Sequence, residues 1–224
     1  MFGNKPKARS GLFVKICGIT NEADARDAID AGADALGFNL VPRSKRFIDL
    51  GAAKAWIENL PAEILKIAVL ADPDWEDACR LSRLPFIDAL QLHGSESPEF
   101  CRRLAEAQIS FAKAVPVSSS KSLAGLPEYF TDTMIFDSSA GGDFGGTGKP
   151  FPWKFAPEFV RHHRKIAVIL AGGLNPQNVA DAVSLVRPRG VDVTTGVEAS
   201  SGRKDPALVR AFVQAAREAS GGRR

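Results

Sequence analysis

Short apolar runs rich in β-branched residues recur along the 224-residue chain, at 12–16, 35–40, 64–70, 89–92, 109–114, 133–136, 166–170 and 190–193. Several are apolar at consecutive positions. That pattern suits strands buried on both faces of a parallel sheet, where an alternating pattern would suit a half-exposed one. Between the runs lie stretches with helical spacing. Ala25, Ala28 and Ile29 form one stripe; Ala53, Trp56, Ile57 and Leu60 form the next. Phe100, Leu104 and Ala107 follow, then Val179, Ala182, Val183 and Val186, and last Leu208, Phe212, Ala215 and Ala216. Asp72-Pro73, Ser97-Pro98, Asn175-Pro176 and Asp205-Pro206 each pair a polar cap with a proline, which predicts a helix start. The cap oxygen accepts a free backbone N–H, and proline gives up nothing in a first turn whose N–H groups lack helical partners. Residues 118–125 are short and polar and predict a loop with at most one helical turn. Eight strands with intervening helices predict an α/β fold, a compact (β/α)8 TIM barrel. A doubly wound open sheet is the other reading. Its glycine signature would follow the first strand, but Cys17-Gly18-Ile19-Thr20 does not supply it.

Charge alters this picture little. The chain carries 29 Lys+Arg and 26 Asp+Glu, a formal +3. Lys5, Lys7, Arg9, Arg223 and Arg224 lie in the two tails, and removing them takes +3 to −2. The body therefore need not have a basic face, and nucleic acid is not an expected partner. The expected organisation is a basic tail at 1–10, one barrel domain at 11–218 and a short tail at 219–224. No apolar run approaches the ~18 residues of a membrane span, and residues 1–10 do not read as a secretory signal. Cys17, Cys79 and Cys101 are odd in number and lack metal-ligand spacing. These features predict a cytoplasmic protein with free thiols, no metal and no membrane partner.

In such barrels chemistry sits at the C-terminal ends of the strands. Cys17 ends the first, Asn39 the second; Gln91 and His93 end the fourth, and Asp137 the sixth. Ala171-Gly172-Gly173-Leu174 follows the seventh strand, and Thr194-Thr195-Gly196 the eighth. Small residues and threonine hydroxyls after these last two strands predict a phosphate site made of backbone N–H groups and hydroxyls. The alternative is that the glycines only permit tight turns. Cys17, just past a buried strand, is a base or nucleophile if positive charge lies nearby, or else an inert core thiol. Asp137 is either a helix cap or a catalytic group, and with Cys17 it would form an acid/base couple across the mouth. His93 is a second base or a structural histidine. One of Arg43, Lys45 and Arg46 could grip a carboxylate. The glycine-rich segment 141–149 resembles a P-loop but lacks the Gly-Lys-Ser/Thr context, so it reads as a loop that closes over a substrate or as surface slack.

Several segments in register resemble one family. They are Val14-Lys15-Ile16-Cys17-Gly18-Ile19-Thr20; Ala33-Asp34-Ala35-Leu36-Gly37-Phe38 with Pro42 to Arg46; Leu90-Gln91-Leu92-His93-Gly94 with Glu96; Phe136-Asp137-Ser138 with Gly145-Gly146-Thr147-Gly148 and Trp153; Leu170-Ala171-Gly172-Gly173-Leu174-Asn175-Pro176; and Gly190-Val191-Asp192-Val193 through Gly196-Val197-Glu198 to Asp205. This order is similar to phosphoribosylanthranilate isomerases of tryptophan biosynthesis. The resemblance implies a ribulose-phosphate-binding type of barrel and an Amadori rearrangement of phosphoribosylanthranilate, with no cofactor. It implies Asp137 as general acid and Cys17 as general base. It places Arg46, Gln91, His93 and Asp192 on the substrate, and Gly172, Gly173, Thr194, Thr195 and Gly196 at the phosphate. The assembly it suggests is a monomer or homodimer. Thr194-Thr195 stands where a serine pair is common, which keeps the hydroxyls. The rival of a different class is a non-catalytic or differently specific phosphate-binding barrel, which needs the two loops but not Cys17 with Asp137.

Overall fold

The computed structural model describes residues 11–123, 126–138 and 153–221. Eight parallel strands close into a barrel in sequence order: β1 (Phe13–Cys17), β2 (Ala35–Asn39), β3 (Leu65–Leu70), β4 (Ala89–Leu92), β5 (Phe111–Pro116), β6 (Thr133–Asp137), β7 (Ala167–Leu170) and β8 (Gly190–Val193). β8 returns to pair with β1, with Lys15 opposite Asp192. The helices are α1 (Glu22–Asp30), α2 (Leu50–Glu58), α3 (Trp75–Ser82), α4 (Pro98–Glu106), α5 (Ala156–His162), α6 (Val179–Val186) and α7 (Pro206–Gly221). Between β5 and β6 the chain makes a 3-10 turn at Ser120–Leu123, within the stretch 118–125 where the polar sequence predicts at most one turn, and a second at Leu126–Tyr129 beyond it. None of the described helices is long and apolar enough to cross a membrane.

Two apolar clusters divide the strand residues by face. Phe13, Ala35, Ile67, Ala89, Ala112, Ala114, Ile135, Ile169 and Ala171 belong to a cluster without helix residues, the barrel interior. Val14, Ile16, Leu36, Phe38, Leu90, Phe136 and Val191 join the helix side chains in the larger cluster outside it. Both faces are therefore buried, as the unbroken apolar runs predict. Because side chains alternate along a strand, the inward face also carries Lys15 and Cys17 of β1, Gln91 of β4, Asp137 of β6 and Asp192 of β8.

Local signals hold in part. Ser97 accepts from Phe100 N, and Asp205 from Ala207 N and Leu208 N, so both cap the helices they precede. Asp72 and Asn175 do not. Asp72 takes a left-handed φ of 50° and its carboxylate accepts from Ser95 N in the next loop; α3 is capped instead by Asp74, which accepts from Asp77 N. Asn175 accepts from Gln177 N and Asn178 N in a turn that precedes α6. The fifth strand begins later than its apolar run because Gln108, at φ 57°, turns the chain out of α4, and Ile109 N is taken up by Leu104 O. A hairpin outside the barrel, β9 (Glu198–Ser200) with β10 (Arg203–Lys204), has no counterpart in the sequence reading.

The inside of the barrel holds an ion pair. Lys15 Nζ lies 2.8 Å from Asp192 Oδ2, and the two side chains are 0% and 5% exposed. Removing one partner of such a pair leaves an uncompensated buried charge. Lys15→Met is expected to lower the unfolding free energy by about 3–5 kcal/mol, and Lys15→Met with Asp192→Leu to recover most of it. Urea unfolding at pH 7 with both variants checks this; equal losses in the single and double variants would contradict it. Burial pushes the Lys15 ammonium down, but Asp192 and Cys17 outweigh burial and hold its pKa above the ordinary 10.5. Its contribution is thus complete below pH 10.5 and fades as pH climbs beyond that. The parent should accordingly lose more stability above that pH than Lys15→Met does.

Candidate active site

Asp137 is the last residue of β6 and 7% exposed. His93 Nε2 lies 3.4 Å from its Oδ2, and Ser138 Oγ donates to Oδ1 at 3.4 Å. Gln91 Nε2 lies 3.2 Å from His93 Nδ1, so Gln91, His93 and Asp137 form a relay from β4 to β6. His93 N donates to Leu70 O at 2.8 Å, which anchors the ring's backbone to β3. Glu96 stabilises the same loop from behind: its carboxylate accepts from Gly94 N and Asp72 N and pairs with buried Lys113 at 2.9 Å. Asp137 is thus a member of a bonded cluster at the strand end.

Cys17 ends β1 and is 7% exposed. Lys15, two residues earlier on the same inward face, interacts with it and with Asp192. Gly37 of β2 lies against both. A Cβ there would sit 2.6 Å from Cys17 Sγ and 3.0 Å from Lys15 Nζ, so only glycine leaves room for the thiol. Cys17 also acts electrostatically on Arg46 and Lys204. The positive charge that a reactive thiol requires is therefore at hand. Cys101, buried in α4, has its thiol pushed up to about 11, chiefly by burial and in spite of Lys113. Lys15 and Lys204 were not singled out from sequence. Lys15 could have been, since a lysine inside an apolar strand, two residues before a strand-end cysteine, must share the cysteine's face.

The loops after β7 and β8 meet. Gly172 and Gly173 take φ of 72° and 66°, conformations costly for other residues. A Cβ on Gly196 would fall 1.9 Å from Leu174 O, so glycine alone permits this contact. Gly172 also presses on the acid: its Cβ would lie 2.6 Å from Asp137 Oδ1. Thr194 and Thr195 follow β8 directly, and Thr195 begins a 3-10 turn.

One cavity at this end of the barrel is lined by Arg46, His93, Asp137, Gly172, Gly173, Asp192, Thr194, Thr195 and Gly196, with Asn39 and Val69. Most of the sequence-predicted site residues are thereby brought together. Cys17 and Gln91 are outside that lining, Cys17 beside Gly37 and Gln91 behind His93. Asp192 Oδ1 and Gln91 Oε1 are buried acceptors with no hydrogen-bond partner among the described residues. An unmet buried acceptor costs about 1–3 kcal/mol, a cost that proteins tolerate where function uses the group. Arg46 forks onto Glu198, Nε to Oε1 at 2.8 Å and Nη2 to Oε2 at 2.7 Å. Among the described residues no group of three His, Cys, Asp or Glu is placed to hold a metal ion. The glycine-rich segment 141–149 lies outside the described residues.

The arrangement has an acid held by a relay, a thiol beside a buried lysine, and two glycine- and threonine-bearing loops in contact. Known proteins share the chain that builds it. The model of the N-(5'-phosphoribosyl)anthranilate (PRA) isomerase family matches residues 14–215. The N-(5'-phosphoribosyl)anthranilate isomerase of Desulforudis audaxviator (strain MP104C) is 47% identical over 207 residues, covering 92% of this chain and 98% of the relative. That of Thermotoga neapolitana is 40% identical over 204 residues, covering 91% and 98%. The crystal structure of phosphoribosyl anthranilate isomerase from Thermotoga maritima superposes with a TM-score of 0.84 at 35% identity, covering 92% of this chain and 99% of that one. A structure of such an isomerase in complex with reduced 1-(o-carboxyphenylamino)-1-deoxyribulose 5-phosphate has a TM-score of 0.80 at 34% identity, with coverage of 92% and 99%. A family match over nearly the whole barrel agrees with what the rim of the barrel presents, and the chain belongs to the N-(5'-phosphoribosyl)anthranilate isomerase family.

Proposed function

We propose that the protein isomerises N-(5'-phosphoribosyl)anthranilate to 1-(2-carboxyphenylamino)-1-deoxyribulose 5-phosphate in tryptophan biosynthesis. The observation that carries the reading is the inward placement of Cys17 and Asp137 at the C-terminal rim of one barrel, in a chain of this family. Asp137 gives a proton to the furanose ring oxygen. The C1′–O bond breaks, the anilino nitrogen lone pair moves in, and an open-chain Schiff base results. Cys17 then takes the C2′ proton, and the electron pair it leaves behind runs into the imine to give an enolamine. Reprotonation at C1′ and loss of the hydroxyl proton yield the ketone. The imine of the substrate serves as electron sink, so the reading uses no cofactor. His93 and Gln91 orient Asp137, and Lys15 offers Cys17 a fixed positive charge in a site shielded from water. The unmet Asp192 oxygen is an acceptor for a sugar hydroxyl, Arg46 meets the anthranilate carboxylate, and the Gly172–Gly173 and Thr194–Gly196 segments take the phosphate.

We place the protein in the cytoplasm, in keeping with its free cysteines, as a monomer or homodimer; a Thermotoga maritima relative is described as dimeric. A phosphate-binding barrel without catalysis would also use the two loops, but it would have no use for the acid relay and the thiol–lysine pair beside them.

Turnover is read from the loss of phosphoribosylanthranilate fluorescence. Asp137→Asn and Cys17→Ala are each expected to lower kcat by about 10²–10⁴-fold with the circular dichroism spectrum retained, as fits removal of a proton-transfer group. Near-normal turnover in both variants would overturn the assignment, and no turnover by the parent would favour the binding barrel. Inorganic phosphate should compete with substrate, and Thr194→Val with Thr195→Val should weaken that competition by about tenfold through lost hydroxyl donors. Phosphate without effect at high concentration would remove the two loops from the phosphate site.

A further inference from the structure

The β9–β10 hairpin takes no part in the barrel sheet, yet its side chains reach the mouth. Glu198 is 4% exposed and makes a two-pronged bond to Arg46, which comes from the loop between β2 and α2 and is 13% exposed. Lys204, with its side chain 0% exposed, bonds Glu198 Oε1 at 3.1 Å and Thr194 O at 3.0 Å. The hairpin itself is fastened to the start of α1: Thr20 Oγ1 donates to Gly202 O at 2.7 Å, and Lys204 N to Asp24 Oδ2 at 2.8 Å. The stem of Arg46 runs over Gly18, where a Cβ would come within 2.8 Å of Arg46 Cδ. The stem is thus confined from below by a glycine and the head from behind by a carboxylate.

We infer that Glu198 is a positioning residue, which aims Arg46 at the carboxylate of the substrate. The inference rests on the substrate role of Arg46 given above. A guanidinium has five N–H groups. Glu198 takes Nε–H and one N–H of Nη2; the edge formed by Nη1 and the other Nη2 N–H is outside that pairing. Nη2 lies 3.4 Å from Thr195 Oγ1, so this edge turns toward the cavity that Arg46 lines. An arginine on a loop would otherwise sample many rotamers, and each substrate would have to order it. Glu198 does not cancel the clamp, because it faces two cations. Its own charge is secure: burial acts against the carboxylate, but Arg46 and Lys204 outweigh burial and hold it below the usual carboxylate range. The hydrogen bonds that Arg46 donates to Glu198 in turn hold the guanidinium above its ordinary value in spite of burial.

The test compares Glu198→Gln, Arg46→Ala and the double variant, using phosphoribosylanthranilate as substrate and inorganic phosphate as inhibitor. Glu198→Gln keeps the shape of the side chain and removes its charge. It should raise KM by about tenfold, keep kcat within about twofold, and leave inhibition by phosphate within about twofold of the parent. On the Arg46→Ala background it should add nothing, as residues acting through one another are not additive. An unchanged KM in Glu198→Gln beside a raised KM in Arg46→Ala overturns the inference while the role of Arg46 stands. Additive effects, or phosphate inhibition weakening in step with KM, show that Glu198 merely staples the hairpin and overturn it as well. If Arg46→Ala leaves KM unaltered, the role of Arg46 fails and the inference with it. Should Glu198→Gln not fold, Glu198→Asp replaces it: KM should rise by a smaller factor, again with phosphate inhibition intact, and an unchanged KM again counts against the inference.

Discussion

The ion pair between Lys15 and Asp192 is the constraint on which this barrel turns. It joins the first strand to the last across the seam where the sheet closes, and both charges are out of water. Neither charge is tolerable there alone. The register of β1 on β8 is therefore bound to the placement of Cys17, which follows Lys15 on the same face. A slip by one residue would turn Lys15 and Cys17 into the apolar layer under the helices and bring Ile16 inward. Closing the barrel and setting the thiol beside a cation are thus one structural event.

The opposite side of the mouth is organised by bonded chains of polar groups. Gln91, His93 and Asp137 run from β4 to β6, and Glu96 with Lys113 braces the loop that holds His93. Glycines occur where backbone or thiol must come too close for a side chain. Gly37 makes room for Cys17, and Gly196 lets the last two loops touch. Gln91 Oε1 and Asp192 Oδ1, buried acceptors without a partner among the described residues, sit within this polar zone. The interior is mostly alanine and isoleucine lower down and polar at the rim, so a stable core and a reactive end share the same strands. The two requirements are separated by position along each strand.

Much of this was legible in the residues. Short apolar runs, several of them unbroken, marked all eight strands, and the order strand–helix–strand favoured parallel pairing with crossovers. The polar residues at the rim were legible because the fold turns strand ends toward the mouth, and Cys17, His93 and Asp137 stood there. Reading failed where long-range contacts override local ones. Asp72 and Asn175 look like caps in a four-residue window, but a neighbouring loop claims Asp72, and Asn175 turns the chain ahead of its helix. The hairpin of Glu198 to Lys204 is short and polar, and it exists because α1 supplies Thr20 and Asp24 to hold it.

Consecutive apolar runs, helical spacing and the residue types at strand ends are properties of the chain itself, and they were enough to specify the class of fold and the strand count. The pairing of charges was not among them. Lys15 with Asp192 spans 177 residues of sequence, and Arg46 with Glu198 spans 152. Such separations leave no mark on local pattern, since any basic residue could meet any acidic one until closure decides which two share a dry interior. Tertiary structure made that choice because a buried charge must find its counter-ion within hydrogen-bonding reach, and only the closed barrel brings these together.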